Sequence, residues 1–396
     1  MTILAIVLGF AMAYSIGAND VANSMATAVG AKAITPRQAV LISGILEFLG
    51  ATFFGAHVTK TIAKGIVNLD MISNPDYIMK GAMAALMASA VWIIFSTLWG
   101  MPVSTTHSIV GGMMGFGIVA AGWESVDWMK MGVIALTWVI SPLIGGLLAY
   151  SVFKTISYFV LHRKDPLSAA RVWVPIFLGI TFYIVALLLS IKTFKLEHSF
   201  SQITAIVVGV LVFAITKLFM RKMPSEDPYE AVEGIFRKAQ IVTSCYVSFS
   251  HGANDVANAV GPIALIYVIV GTGSVSRLVE VPRVLLFLGG LGIAAGVATL
   301  GYRVMKTVGE GITELNNTRG FSIDFATATT VFLASSLGIP VSTTHTVVGA
   351  VTGVGMARGI EVVDANILKN IAIAWFVTVP FAAVVSALIF KFLVLF

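Results

Sequence analysis

The stretch GANDVAN occupies residues 17–23, and the same seven residues return at 252–258. Each copy is embedded in apolar sequence: GFAMAYSIGANDVANSMATAVG (9–30) and SCYVSFSHGANDVANAVGPIAL (244–265). Asn and Asp are weak helix formers and costly to bury unpaired. A chain that spends both, twice, in such surroundings has a use for them.

The surroundings fix the class. Of 396 residues, 58% are hydrophobic and 11% charged, and the mean hydropathy is +0.94. Soluble domains carry about 25% charged residues. Apolar runs of about 20 residues, enough to cross a bilayer, recur from end to end. The chain reads as an all-α, multi-pass membrane protein of the cell membrane. Its net charge of +6 is therefore read through the positive-inside rule, and no nucleic-acid partner is expected. A single cysteine, Cys245, excludes an internal disulfide and a cysteine-rich metal site. The first apolar run leads straight into the motif, without the pattern of a cleaved signal peptide.

About 12 apolar segments are expected. The first, 2–33, would be ~48 Å long as one straight helix, against a hydrocarbon core of ~30 Å. A helix broken at GANDVAN is the expectation.

A second duplication supports the first. GMPVSTTHSIVGGMMGFG (100–117) matches GIPVSTTHTVVGAVTGVG (338–355), and GAHVTKTIAKG (55–65) resembles GYRVMKTVGEG (301–311). The order of motifs is kept, so 1–161 and 231–396 read as homologous halves. Residues 162–230 supply two intervening helices and a loop. The segments 78–99 and 103–121 form a helical hairpin or two spans; either gives an odd number of crossings before the second half. Odd parity means two inverted-topology repeats, with broken helices and hairpins meeting near the bilayer midplane. Placing loops 161–171 and 217–238 in the cytoplasm puts most Lys and Arg inside and both termini outside.

The motifs carry opposite chemistries. An Asp at the bilayer centre costs roughly 2.5–3.5 kcal/mol or more and marks a functional site by default. Asp20 and Asp255 carry that cost in both halves, and Asn19, Asn23, Asn254 and Asn258 add neutral oxygens. Oxygen-rich, nitrogen-poor, thiol-free sites suit hard cations such as sodium rather than transition metals. Interhelical hydrogen bonding alone explains the Asn residues better than it explains two Asp. PVSTTH asks for an anion. Pro102 and Pro340 suit a first helical turn, and Ser104, Thr105 and Thr106, with Ser342, Thr343 and Thr344, add hydroxyl donors beside unpaired N–H groups. N-capping needs one hydroxyl; each copy offers three. Glu47 and Asp324 are further buried acids awaiting a cation, although Asp324 could cap its helix. His107 and His345 read as core residues rather than ligands.

At these residues the chain resembles the inorganic phosphate transporter (PiT) family. Paired GANDVAN and PVSTTH motifs, the Glu in ILEFLG and the acid in FSIDFATATTV match that family's pattern, although the latter acid is often Glu there and is Asp324 here. The resemblance implies cation-coupled phosphate uptake, with phosphate between the PVSTTH turns and Asp20, Asn23, Asp255 and Asn258 in the ion and substrate shell. Two Asp/Asn sites full of neutral oxygens favour sodium over protons as the coupling ion, and no other cofactor is expected. Phosphate retains a proton near neutrality and can donate to a carboxylate, which sulfate cannot. The competing classes are a proton-coupled or sulfate permease, a channel, and a membrane phosphate-ester hydrolase. The hydrolase lacks a sequence-level base beside its hydroxyls. A homodimer is a candidate assembly.

Overall fold

The structure, a computed structural model, describes residues 2–220, 227–273, 281–305, 315–359 and 365–395. Their regular structure is helical, apart from one bridge between Val67 and Val126. Nine helices among the described residues are long and apolar enough to cross a membrane.

Several helix starts are written in the sequence as a capping residue followed by proline. Thr35, Asn74, Asp165 and Asp227 cap α2 (Pro36–Phe54), α4 (Pro75–Leu98), α7 (Pro166–Leu188) and α9 (Pro228–Thr272). In each, the side-chain oxygen takes an orphan N–H while the proline, lacking one, fills the first turn.

The helix carrying the first GANDVAN, α1 (Thr2–Gly30), runs unbroken through it, and so does α9 through the second copy. The expected break is absent. The Asn and Asp side chains find partners on neighbouring segments, so the backbone ladder is never asked to open. The interruptions fall at PVSTTH instead. The first half's α4 ends at Gly100 (φ +67°), with Met101 N–H donating to Ser96 O at 2.9 Å. A short extended stretch follows, and α5 (Thr105–Ala121) begins. The second half repeats this between α11 (Asn317–Ser336) and α12 (Thr343–Arg358). There Gly338 has φ +70°, and Ile339 N–H donates to Ala334 O at 3.0 Å. Only glycine adopts that φ at little cost, which closes the helix and turns the chain back. These are the two hairpins.

Length is accommodated differently from expectation as well. With 45 residues α9 is about 68 Å long, so it extends well beyond any bilayer core. Part of the 217–238 loop is thus helix from Pro228 onward, while 221–226 lie outside the described residues.

The halves exchange helices. In the core α1 packs on α10 (Arg283–Leu300) while α9 packs on α2; farther out α5 packs on α13 (Ala365–Val394) while α12 packs on α6 (Trp128–Ile156). The first Gly of each GANDVAN makes the inner exchange possible. A Cβ on Gly17 would overlap the backbone of Ile293 in α10, and one on Gly252 the backbone of Glu47 in α2. Glu47 lies eight residues before GAHVTKTIAKG, and Ile293 eight before the similar GYRVMKTVGEG. Small residues let helices approach where no hydrophobic drive exists between lipid and protein. That close approach carries α1 and α9 to the centre, side by side with both hairpin turns.

Candidate functional site

The two Asn residues of each motif divide the work in the same way. The first pins its own half's hairpin turn. Asn19 Nδ2 donates to Thr97 Oγ1 (3.0 Å) and Met101 O (3.1 Å), and its Oδ1 accepts from Val103 N–H at 3.2 Å. Asn254 Nδ2 donates to Val341 O at 2.8 Å, and its Oδ1 accepts from Ser335 Oγ at 3.3 Å. The second Asn crosses to the other half. Asn23 Nδ2 reaches Thr344 Oγ1 (2.9 Å) and Thr343 Oγ1 (3.5 Å). Asn258 Nδ2 reaches Thr106 Oγ1 (3.2 Å) and Thr105 Oγ1 (3.4 Å). The turns also bond each other, Thr106 Oγ1 to Val341 O and Thr344 Oγ1 to Val103 O, both at 3.2 Å. Every motif residue named here is buried.

The three hydroxyls of each turn differ in use. Ser104 and Ser342 are N-caps, accepting from His107 N–H and His345 N–H at 3.2 Å. The one-hydroxyl capping role therefore falls to the serines and leaves the threonines for the centre. Thr105 Oγ1 lies 2.8 Å from Asp20 Oδ2 and 3.1 Å from Asp255 Oδ1. One hydroxyl has one proton, so it serves one carboxylate at a time.

The Asp residues do not form two separate sites, as their placement in separate repeats suggests. Because α1 and α9 lie against each other, both carboxylates converge on Thr105 and on His251. His251 Nε2 is 3.5 Å from Asp20 Oδ2 and 3.4 Å from Asp255 Oδ2, while Nδ1 is 3.0 Å from Glu47 Oε2. All four residues are fully buried. Glu47 is also the acceptor for Ser43 Oγ (2.6 Å) and Ser24 Oγ (3.0 Å). The expected nitrogen-poor site thus holds an imidazole at its centre. His251 immediately precedes the second GANDVAN, where the first has Ile16. That departure between otherwise identical copies was the signal available in the sequence.

When ionised, three carboxylates around one imidazole carry more negative charge than a protonated His251 balances, and Asp20 Oδ1 has no hydrogen-bond partner. Ligand atoms of Asp20, His251 and Asp255 lie within 4.8 Å of one another, a span suited to a cation. Uncompensated buried charge costs several kcal/mol per ion. The arrangement is one that a cation stabilises.

Asp324 forms a second, separate acid site. It lies within α11 rather than at its start, which Asn316 caps, so it is no cap. Its oxygens accept from Thr27 Oγ1 of α1 and Ser244 Oγ of α9, each at 2.5 Å. His107 and His345 stand apart from the acids. Their rings lie 4.4 Å apart, with Trp138 3.8 Å from His107 and Trp375 3.5 Å from His345. They form an aromatic layer, and neither makes an ion pair among the described residues.

The phosphate transporter family model matches residues 16–386, nearly the whole chain and both copies of each motif. The chain belongs to the phosphate transporter family. A protein named phosphate permease in Pyrococcus abyssi is 53% identical over 99% of this chain and 97% of its own. In Arabidopsis thaliana, the chloroplastic inorganic phosphate transporter 2-1 is 40% identical over 97% of this chain and 70% of its own. Among solved structures, a sodium-dependent phosphate transporter is 54% identical, with a TM-score of 0.97, covering 100% of this chain and 99% of that one. Members of this phosphate transporter family are membrane transporters and permeases, not hydrolases.

Proposed function

We propose that this phosphate transporter family member imports inorganic phosphate across the cell membrane with sodium as the coupling ion. The observation that carries the proposal is the crossing of Asn23 and Asn258 to the opposite half's threonines. It ties an anion cradle, Thr105, Thr106, Thr343 and Thr344 with the helix starts at Ser104 and Ser342, to the acids of both GANDVAN copies. Phosphate binds at the turns, where orphan N–H groups and hydroxyls converge. Its remaining proton faces Asp20 or Asp255, which selects against sulfate. Sodium neutralises the buried carboxylates, Asp20 and Asp255 included, with Asn19, Asn23, Asn254 and Asn258 as neighbouring oxygens and Glu47 and Asp324 as further cation acids. The sodium dependence named for the similar solved structure supports this coupling ion.

Residues 1–161 and 231–396 act as inverted repeats that rock about the site, joined by 162–230, and both termini lie outside the cytoplasm. The reciprocal helix exchange supports the repeat assignment. One observation favours a second reading. His251, buried among three acids, has the chemistry of a proton acceptor, which fits a proton in place of sodium as the coupling ion. Uptake of labelled phosphate into proteoliposomes with imposed sodium or proton gradients decides between them. Accumulation driven by sodium alone supports the proposal, accumulation driven by protons alone supports the second reading, and none in either case removes both.

A further inference from the structure

Where α6 gives way to α7, the chain builds a basic pocket that the transport site does not use. After Ile156 the helix widens into a π-turn, Ser157–Leu161, and His162 Nδ1 comes back to within 2.7 Å of Ser157 O. This swings Arg163 over two rings, its guanidinium carbon 5.7 Å from the centroid of Tyr158 and 5.5 Å from that of Phe159. Phe159 in turn packs on Trp173 of α7 at 4.9 Å. Between the two helices lies an open cavity of about 610 Å³, lined on one hand by His162, Arg163, Lys164 and Asp165 and on the other by Phe159, Val172 and Trp173.

The loop's acid, Asp165, also lines the pocket and offsets one of the two charges of Arg163 and Lys164, leaving a net positive charge. Asp165 Oδ1 accepts from Ser168 N–H (2.9 Å) and Oδ2 from Ser168 Oγ (2.5 Å), bonds that hold its carboxyl below the usual range. Among the described residues neither Arg163 nor Lys164 forms a salt bridge. Basic side chains next to aromatic and aliphatic ones, at the ends of two apolar spans, match the membrane interface, where aromatic rings and basic side chains gather. A free anion uses only the basic side chains; a lipid uses both sets.

We propose that this pocket binds the phosphodiester headgroup of an anionic phospholipid, with the upper acyl chain against Phe159, Val172 and Trp173. Arg163, prepositioned by the two rings, and Lys164 make the phosphate contacts.

The test is native mass spectrometry of the full-length protein titrated with phosphatidylglycerol or phosphatidylcholine, repeated with excess inorganic phosphate. Wild type is expected to retain phosphatidylglycerol at least fivefold more tightly than phosphatidylcholine. R163Q/K164Q is expected to abolish that preference, and Arg163→Lys, which keeps the charge without the planar fork, to retain part of it. K217Q/K391Q, removing two exposed charges elsewhere, should leave it intact. Equal loss in both double variants would assign the preference to overall charge and overturn the site. Displacement of the lipid by millimolar inorganic phosphate would make it a free-anion site and overturn the lipid assignment. An unchanged preference in R163Q/K164Q overturns the proposal outright.

Discussion

His251 Nδ1 stands 3.0 Å from Glu47 Oε2; Ile16 precedes the first GANDVAN as His251 precedes the second, and Ile293 lies eight residues before GYRVMKTVGEG as Glu47 lies eight before GAHVTKTIAKG. One position pair is polar and the other aliphatic, and all four side chains are buried. Buried sites of this kind therefore accommodate either chemistry in this fold.

This predicts a characteristic non-additivity. Removing one partner of a buried pair costs about 3–5 kcal/mol, whereas replacing both with apolar residues is often near neutral. His251→Ile alone should lower the melting temperature sharply. His251→Ile with Glu47→Ile should recover much of that loss while transport stays absent. Thermal unfolding of the two single variants and the double variant checks this; additive losses would mean the pair is not coupled.

The hydroxyls of PVSTTH should separate by role. Ser104→Ala removes a cap and is expected to cost about 1 kcal/mol of stability with a smaller change in phosphate affinity. Thr105→Ala removes the hydroxyl shared between Asp20 and Asp255. A hydrogen bond to a charged group contributes about 1.5–3 kcal/mol, so apparent phosphate affinity should fall at least tenfold in folded protein. Equilibrium binding of labelled phosphate beside a melting curve measures both. If Ser104→Ala weakens binding as much as Thr105→Ala does, the division is wrong.

Asp324 bonds to helices carrying both GANDVAN copies, through Thr27 and Ser244. Asp324→Asn keeps the shape but removes the charge. Expression and melting should stay close to wild type, while sodium-dependent uptake is lost or uncoupled. Wild-type uptake with unchanged sodium dependence would make Asp324 a structural tether.

Much of this was legible in the residues, and the failures have physical causes. Both hairpins follow from Gly-x-Pro-x-Ser, because glycine ends one helix and Pro with Ser begins the next. Capping pairs such as Asp227–Pro228 mark helix starts. The uninterrupted course of α1 and α9 was not legible, since length and buried Asn argue for a break unless the partners across the site are known. Met101 O, Val341 O and the opposite threonines lie some 80 to 320 residues away in sequence. His251 carries little signal in the sequence, because it lies just outside the repeated residues. Ser24, Ser43, Thr27 and Ser244 are small hydroxyls with no pattern of their own. Only packing shows which acids they serve.

The charge balance at the centre leads to the last prediction. Asp20, Glu47 and Asp255 meet one imidazole, and phosphate would bring at least one further negative charge to the neighbouring turn. Unpaired charges cannot accumulate in a buried site, so cations must enter with the substrate. One sodium with monovalent phosphate is electrically silent, and the membrane potential then does no work on it. A second makes the load positive, and an inside-negative potential contributes about 2.3 kcal/mol per charge per 100 mV. Uptake is therefore expected to be electrogenic, with more than one sodium per phosphate and a sodium dependence steeper than linear. Asp20→Asn and Asp255→Asn should each reduce that steepness, because each removes a charge that a cation balances. Transport currents recorded from proteoliposomes, alongside labelled phosphate flux, give charge per phosphate directly. Zero net charge per monovalent phosphate together with a linear sodium dependence would mean that one cation suffices and that His251 or protonated acids neutralise the remainder.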